Sequence, residues 1–159
     1  MRLAGVDAGR AAALACAVLA LLAAPAARAA VSCAVAATGI TFGTYTPLQT
    51  SALEANGTVS ISCTDVLYDV ATVSLSPGVS GSYTTRTLTS GASSLSYNLY
   101  TSAADSTVWG NGSGSSATVQ AIIWFFAPTA TLTVYGAVAS GQDPAPGTYT
   151  DTITVSVSY

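Results

Sequence analysis

The sequence contains no lysine and no histidine, and its cationic side chains are four arginines. Three of them, Arg2, Arg10 and Arg28, lie within the first 30 residues, so Arg86 is the single cation of the remaining chain. Six carboxylates accompany it there, and the remaining chain therefore carries a net charge of −5. A surface with one cation cannot neutralise phosphates, so this composition excludes nucleic-acid binding and attraction to anionic membranes.

The same absences argue against catalysis. A nucleophilic serine needs a neighbouring base, and neither histidine nor lysine is present to act as one. Asp65 and Asp69 are the closest acids in sequence and could form a glycosidase-type pair, but we interpret them as solvated loop residues. No dense acidic calcium loop occurs. We therefore expect no enzyme activity, no cofactor and no metal ion.

The first 29 residues have the pattern of a secretory signal peptide. Two arginines precede an apolar, alanine-rich run over 11–27, and Ala27-Arg28-Ala29 forms an A-x-A cleavage pattern. The run is too short for a membrane-spanning helix, so we expect no membrane insertion after cleavage. Cys16 lies inside this run, where we do not expect lipidation. Cleavage leaves one domain, 30–159, which is long enough to bury a core.

Two cysteines, Cys33 and Cys63, remain after the predicted cleavage. An even pair in an exported protein indicates a disulfide bond. A zinc site is a poor alternative, because the exported part offers no histidine or further cysteine to complete four ligands.

Short alternating segments predict an all-β protein. The chain ends on "GTYTDTITVSVSY", in which apolar and polar residues alternate with the period of two that is typical of a strand with one buried face. Similar alternation, separated by turn signals, suggests a β-sandwich. The predicted strands cover 39–46, 57–63, 70–76, 94–100, 130–138 and 147–159.

The segment "AIIWFFAP" departs from this alternation with five consecutive large apolar residues. One interpretation is a strand buried on both faces. The other is a hydrophobic loop or hairpin displayed at one end as an apolar contact patch, because a sandwich strand normally has one face in water. The residues are Ile122, Ile123, Trp124, Phe125 and Phe126.

Two asparagines, Asn56 and Asn111, each precede a glycine and match the glycosylation sequon. Asn-Gly is also a turn dipeptide, which is our preferred explanation for both.

Seven motifs occur in order along the exported chain: "ITFGTYTP", "GTVSISC", "VSLSPG", "RTLTSG", "LSYNLYTSAADSTVWGNG", "VYGAVASGQ" and "GTYTDTITVSVSY". This ordered set resembles the spore coat protein U domain family, which overlaps the subunits of archaic, Csu-type chaperone–usher pili. Each motif alone is weak, but the ordered set is specific and covers nearly all of the exported chain, with Cys33 and Cys63 bracketing the first two strands. Smaller departures are Ala137 and Asn111, where family members often carry Arg and Asp.

The resemblance implies an immunoglobulin-like sandwich that lacks its last strand and is completed by donor-strand complementation. A periplasmic chaperone would lend the strand, an outer-membrane usher would assemble the fibre, and a neighbouring pilin subunit would replace the chaperone. The subunit would pass through the periplasm to a surface fimbria that serves attachment and biofilm formation. The final strand would line the acceptor groove through Ile153, Val155, Val157 and Tyr159.

A fibre subunit of this kind needs an N-terminal donor arm, and here only Ala30, Val31 and Ser32 separate the predicted cleavage site from Cys33. Three extended residues span about 10 Å, which is too short to complete a neighbour's sheet. We therefore expect an accept-only subunit near the tip of the fibre. The alternatives are a structural coat or matrix protein, and a secreted carbohydrate-binding module centred on Tyr100 and Trp109.

Overall fold

The structure, a computed structural model, describes residues 31–159, whose regular secondary structure is almost entirely β-strand. The predicted signal peptide, 1–29, lies outside the described residues. Within residues 31–159 the only helical element is one 3₁₀ turn, Gly78–Ser80, and no helix there is long and apolar enough to cross a membrane. The strands are β1 (Ser32–Thr38), β2 (Leu53–Thr64), β3 (Tyr68–Leu75), β4 (Arg86–Ser90), β5 (Ser93–Tyr100), β6 (Val119–Trp124), β7 (Thr129–Val138) and β8 (Val155–Ser158).

The strands form two antiparallel sheets. One has five strands in the order β1-β2-β7-β5-β4, and the other has three in the order β6-β3-β8. Residues from both sheets share one core, in which Val59 and Ile61 of β2 join Val73 of β3 and Ile123 of β6. The all-β sandwich predicted from the alternating sequence is therefore confirmed.

Strand β2 shows why the alternating pattern produces this fold. Val59, Ile61 and Cys63 are buried on one face, whereas Ser60 and Ser62 between them point away from the core. Hydrophobic residues at every second position can be covered by the opposite sheet only when the strand is extended. The same alternation places the predicted segments 57–63, 70–76, 94–100 and 130–138 in β2, β3, β5 and β7.

The disulfide predicted from the two exported cysteines is present. Cys33 and Cys63 are cross-strand partners in β1 and β2, and a disulfide bond joins them across a sequence separation of 30 residues. Closing a loop of this length lowers the conformational entropy of the unfolded chain, which stabilises the folded protein by about 3.5–4 kcal/mol in the chain-entropy model. The bond also fastens β1, which is an edge strand, to the larger sheet.

Arg86, at the start of β4, is fully buried and hydrogen-bonded to main-chain and amide oxygens. Nε and Nη2 donate to Ser76 O at 3.2 and 2.9 Å, and Nη2 also donates to Trp109 O at 2.8 Å. Nη1 donates to Asn98 Oδ1 at 2.6 Å, and the Tyr83 ring centroid lies 5.4 Å from Cζ. Burial lowers the pKa of Arg86. The guanidinium thus ties β4 to the segment after β3, to β5 and to the segment around Trp109.

One predicted strand, 39–46, does not form, and another, 147–159, is shorter than predicted. The segment 39–46 has no strand ladder, although Ile40, Phe42 and Tyr45 pack against the core as the alternation predicts. The last strand begins at Val155, not at 147, and upstream of it only Thr150 makes a single bridge to β4. The strand prediction for 39–46 is therefore wrong for this structure, because a ladder needs a neighbouring strand and none lies beside this segment.

Replacing Arg86 by lysine should destabilise the protein, because one ammonium cannot reach all the oxygens that the guanidinium binds. We expect the free energy of unfolding in urea to fall by about 3–5 kcal/mol, the usual cost of breaking a buried charged network. Thr85→Ala, at the exposed neighbouring position, is the control and should change it by no more than about 0.5 kcal/mol. A loss below about 1 kcal/mol for Arg86→Lys would contradict this role.

Candidate functional site

Strand β8 has one unpaired edge. Ser76 N donates to Thr154 O at 2.9 Å, so Thr154 and, two residues later, Ser156 direct their main-chain groups toward β3. Main-chain groups alternate in direction along a strand, so those of Val155 and Val157 point away from β3. Because β8 is the last strand of its sheet, these groups face open space beside the sandwich.

Strand β1 has a matching unpaired edge in the other sheet. Cys63 N donates to Pro128 O at 2.9 Å on the β7 side, so the main-chain groups of its partner Cys33 point away from β2. Cys33 N contacts Tyr159 Oη at 3.4 Å instead. Val35 lies on the same face as Cys33, toward the core, yet its side chain is 44% exposed. The core is thus open to solvent beside β1.

A groove of about 250 Å³ separates the two edges. One side is formed by 37–40, at and after the end of β1, and the other by Ile153 and Val155. Its base consists of core side chains from both sheets, including Leu75 and Val134. The lining is therefore mainly aliphatic.

A wider section of about 700 Å³ continues the groove between 40–47 and 144–151. Tyr45 and Tyr149 lie on its opposite sides, and Leu95 and Val138 form part of its base. Ile40, Phe42, Leu88 and Asp151 line both sections, so the two sections adjoin. Together the two sections run alongside 39–46 and 147–154, which were predicted as strands but form no ladder.

The four residues predicted to line an acceptor groove occupy different positions along this side of the sandwich. Ile153 and Val155 line the narrow section, and Val157 is half-buried against the core. Tyr159 is 52% exposed, and its hydroxyl reaches β1 through the contact with Cys33 N.

Asp151 lies where the two sections meet and is the only charged residue among the described residues that line them. Its Oδ2 accepts a hydrogen bond from the Tyr97 hydroxyl at 2.7 Å. Its Oδ1 accepts hydrogen bonds from the amides of Val79 at 2.9 Å and Thr152 at 2.7 Å. Burial, and then the bond to Asp151, raise the pKa of Tyr97 well above its usual range. These bonds hold Asp151 between Thr150, which bridges to β4 in one sheet, and β8 in the other sheet.

The predicted apolar patch divides between the core and the surface. Ile123 is buried at 1% exposure, because it alternates into the core from β6. Ile122, Trp124, Phe125 and Phe126 are 60%, 46%, 66% and 78% exposed. The three aromatic rings pack edge to face, with centroid distances of 5.5 Å for Trp124–Phe126 and 5.1 Å for Phe125–Phe126.

Two further apolar residues adjoin this turn. Tyr68 is the cross-strand partner of Trp124, and Phe125 N donates to Leu67 O at 3.2 Å. Leu67 is 84% exposed and Tyr68 is 67% exposed. The alternating pattern does not predict either residue, because both follow Cys63 in a segment without alternation; the apolar stretch 66–68 between two acids is the available signal. We call these six exposed residues the apolar cap: Leu67, Tyr68, Ile122, Trp124, Phe125 and Phe126.

The centre proposed for a carbohydrate-binding module does not form a platform. Trp109 is fully buried and its Nε1 donates to Val73 O at 3.0 Å, so its ring is not available to stack on a sugar. Burial raises the pKa of Tyr100, the second residue proposed for it. The carbohydrate-binding interpretation of this pair is therefore wrong.

These features define a class of protein: a disulfide-bonded β-sandwich with two facing edges and a groove that opens into its core. A family model described as the Spore Coat Protein U domain matches residues 18–156. The chain therefore belongs to the spore coat protein U domain family, as the sequence motifs predicted. It is 30% identical to "Protein U" of Myxococcus xanthus over an alignment of 133 residues, and the match covers 76% of this chain and 71% of that protein.

The fold is similar to that of a chain in the crystal structure of the CsuC–CsuE chaperone–tip adhesion subunit pre-assembly complex from the archaic chaperone–usher Csu pili of Acinetobacter baumannii. The TM-score is 0.58 at 19% sequence identity. The match covers 82% of this chain but only 40% of that chain, so this protein corresponds to less than half of it.

Alkaline pH tests the Tyr97–Asp151 contact. Folding raises the pKa of the Tyr97 phenol, so its contribution to stability is present below about pH 10, the usual tyrosine pKa, and is lost as the pH rises above it. We expect the free energy of unfolding in urea to fall more steeply above about pH 10 in the wild type than in Tyr97→Phe. Tyr68→Phe, which alters an exposed ring, should follow the wild type. Equal slopes for all three proteins would contradict the assignment.

Proposed function

We propose that this protein is an exported structural subunit of a chaperone–usher fimbria, and that its groove accepts a strand from another polypeptide. The observation that carries this proposal is the groove between the facing edges of β1 and β8, because each edge offers main-chain donors and acceptors and the space between them opens into the core. A donated strand would form a ladder with these edges and place alternate apolar side chains in the groove.

The proposed strand would also remove a hazard. An exposed, apolar sheet edge templates pairing with other chains and leads to aggregation. An exported subunit with such an edge needs protection until it reaches its place in the fibre. A periplasmic chaperone would protect the edge first by lending a strand. At the outer-membrane usher, a neighbouring subunit would then replace the chaperone and protect the edge in the fibre. The CsuC–CsuE pre-assembly complex, which pairs a chaperone with a tip adhesion subunit, supports the chaperone step.

We propose in addition that this subunit accepts a strand from a neighbour but donates none, which places it at the tip of the fibre. β1 begins at Ser32 and its first residues pair with the end of β2, so Ser32 is part of the sandwich and is not part of a free arm. With the predicted cleavage after Ala29 or Ala30, too few residues precede β1 to reach a neighbour's groove. Such a subunit starts a fibre and accepts a strand, but donates none.

The apolar cap has a suitable location for contact at a tip. It lies where β2 ends, β3 begins and β6 turns into β7, and the register of β1 on β2 places the start of β1 at the same end of the sandwich. In a strand-exchange fibre, the end that carries a donor arm faces the subunit ahead. In the first subunit that end faces outward, so we propose that the cap meets apolar surfaces and serves attachment and biofilm formation.

A structural coat or matrix protein is the second candidate, and the family description favours it. In that case the edges of β1 and β8 would pair laterally with further copies, without a chaperone or an usher. Dependence of export on a chaperone separates the two candidates.

Expressed alone, the exported chain should be less stable than the complemented protein and should aggregate as its concentration rises, because its groove stays open. A complementing strand fused behind Tyr159 through a flexible linker, or co-expression with the chaperone encoded beside it, should give a soluble protein. The gain in unfolding free energy should be several kcal/mol, on the scale of filling a large core cavity. The control is the same fusion with its inward apolar residues changed to aspartate. A cooperatively folding monomer that gains nothing from the fused strand would show that the sandwich needs no partner.

The double change Trp124→Ser and Phe126→Ser should reduce attachment of cells to an apolar surface and leave export unchanged, because both side chains are exposed. The matched control is Ile123→Ser at the position directly before Trp124, which should reduce folding and export, since losing a buried aliphatic side chain costs about 2–5 kcal/mol. Attachment and surface-exposed protein are measured on the same cells. Undiminished attachment by the double variant would contradict a contact role for the cap.

Immunogold labelling of intact fibres tests whether this subunit lies at the tip of the fibre. An accept-only subunit should be labelled about once per fibre, at the distal end, and the purified protein should not polymerise. The control is an antibody against a subunit of the shaft, which should label along the whole length. Label from this protein spaced along the shaft would show that it donates a strand after all.

A further inference from the structure

The two Asn-Gly dipeptides lie in opposite environments, and neither is used by the groove or by the apolar cap. Asn111 and Gly112 are exposed in the loop between Trp109 and β6, and Gly112 adopts φ +85°. A Cβ added at Gly112 would have one neighbouring atom within 4 Å, Thr118 Cγ2 at 3.9 Å. The backbone at this dipeptide therefore has room to rearrange.

The second dipeptide is held within β2. Asn56 and Gly57 pair with β7 through Tyr135 and Val134, and Gly57 is buried. A Cβ added at Gly57 would lie 2.8 Å from Ile40 Cγ1 and 2.9 Å from Thr38 O. A change of backbone direction here would break the ladder and collide with its neighbours.

The amide side chain of Asn111 is also held in a particular way. Its Oδ1 accepts a hydrogen bond from Ser113 N at 3.0 Å and a second from Ser113 Oγ at 2.6 Å. The loop is fixed at its base, where Gly110 N donates to Ala117 O and Ala117 N donates to Val108 O, both at 2.8 Å. Two donors thus converge on the oxygen that would become negative if a nucleophile attacked Asn111 Cγ.

From this arrangement we infer that Asn111 is a site of spontaneous modification, in which the main chain converts it to aspartate and isoaspartate through a cyclic imide. Gly112 N loses its proton to water or hydroxide and attacks Asn111 Cγ. The carbon–nitrogen bond to Nδ2 breaks, and Nδ2 leaves as ammonia after taking up a proton from solvent. Water then opens the ring at one of its two carbonyls.

Ser113 is the positioning residue for this reaction. Its amide and hydroxyl stabilise the oxyanion that forms on Oδ1 during attack, as preorganised donors do in acyl-transfer sites. The product adds a carboxylate to a chain that already carries a net charge of −5, and isoaspartate also inserts one extra carbon in the main chain beside Trp109. The fraction of the exported protein that is modified at Asn111 should therefore increase with time after synthesis.

The test follows the full exported chain during incubation in heavy-oxygen water under mildly alkaline conditions, after circular dichroism has shown that it is folded. Peptide mapping by mass spectrometry measures uptake of the heavy oxygen at each asparagine, and isoaspartate is detected by enzymatic methylation. We expect conversion at Asn111 and almost none at Asn56. In reduced, urea-unfolded protein both should convert at similar rates, which shows that the fold makes the difference.

Ser113→Ala removes the hydroxyl donor and should slow conversion at Asn111 by about two- to ten-fold, the range expected for one hydrogen bond. Ser113→Thr keeps a hydroxyl and should restore most of the rate. Equal conversion at Asn56 and Asn111 in the folded protein would overturn the inference. So would an unchanged rate in Ser113→Ala, or a glycan on Asn111.

Discussion

The pairing of β8 on one side only is the constraint on which the rest of the structure depends. Main-chain groups of a strand need partners, and its apolar face needs cover, but Val155 and Val157 have β3 on one side and open space on the other. The same gap leaves Val35 of β1 on the core side yet 44% exposed, and it leaves 39–46 extended without a ladder. The open side of β8 and the groove beside it thus coincide with all three irregularities.

A gap of this size requires that the remaining structure hold its shape without the missing strand. The disulfide between Cys33 and Cys63 fastens β1 to β2, and Arg86 joins the segment after β3 to the interior of the larger sheet. At the crossing between the sheets, Asp151 is fixed by Tyr97 and two amides. The disulfide and the hydrogen bonds of Arg86 involve no residue that lines the groove, so a strand could enter without breaking them.

Alternation predicted β2, β3, β5 and β7 well, because burial of every second residue is a local property of the sequence. It could not predict that 39–46 lacks a ladder, since pairing depends on a neighbour that the sequence does not show. It does not predict Leu67 and Tyr68 as part of the apolar cap, because they lie in a segment without alternation and come beside Trp124 and Phe125 only in the folded chain. Trp109 was placed at a surface platform, but an aromatic residue in a glycine-rich stretch gives no sign that it fills the core. The resemblance to the family supplied the groove, which no local pattern of residues indicates.

Residue-resolved hydrogen exchange on β8 tests the central claim most directly. In the uncomplemented protein the amides of Ser156 and Ser158, which face β3, should exchange slowly, and those of Val155 and Val157 should exchange rapidly. Addition of a complementing strand should protect Val155 and Val157 strongly, and it should change Ser156 and Ser158 much less. If Val155 and Val157 are already as protected as Ser156 in the uncomplemented protein, or gain no protection from the strand, then the edge of β8 is not an acceptor site.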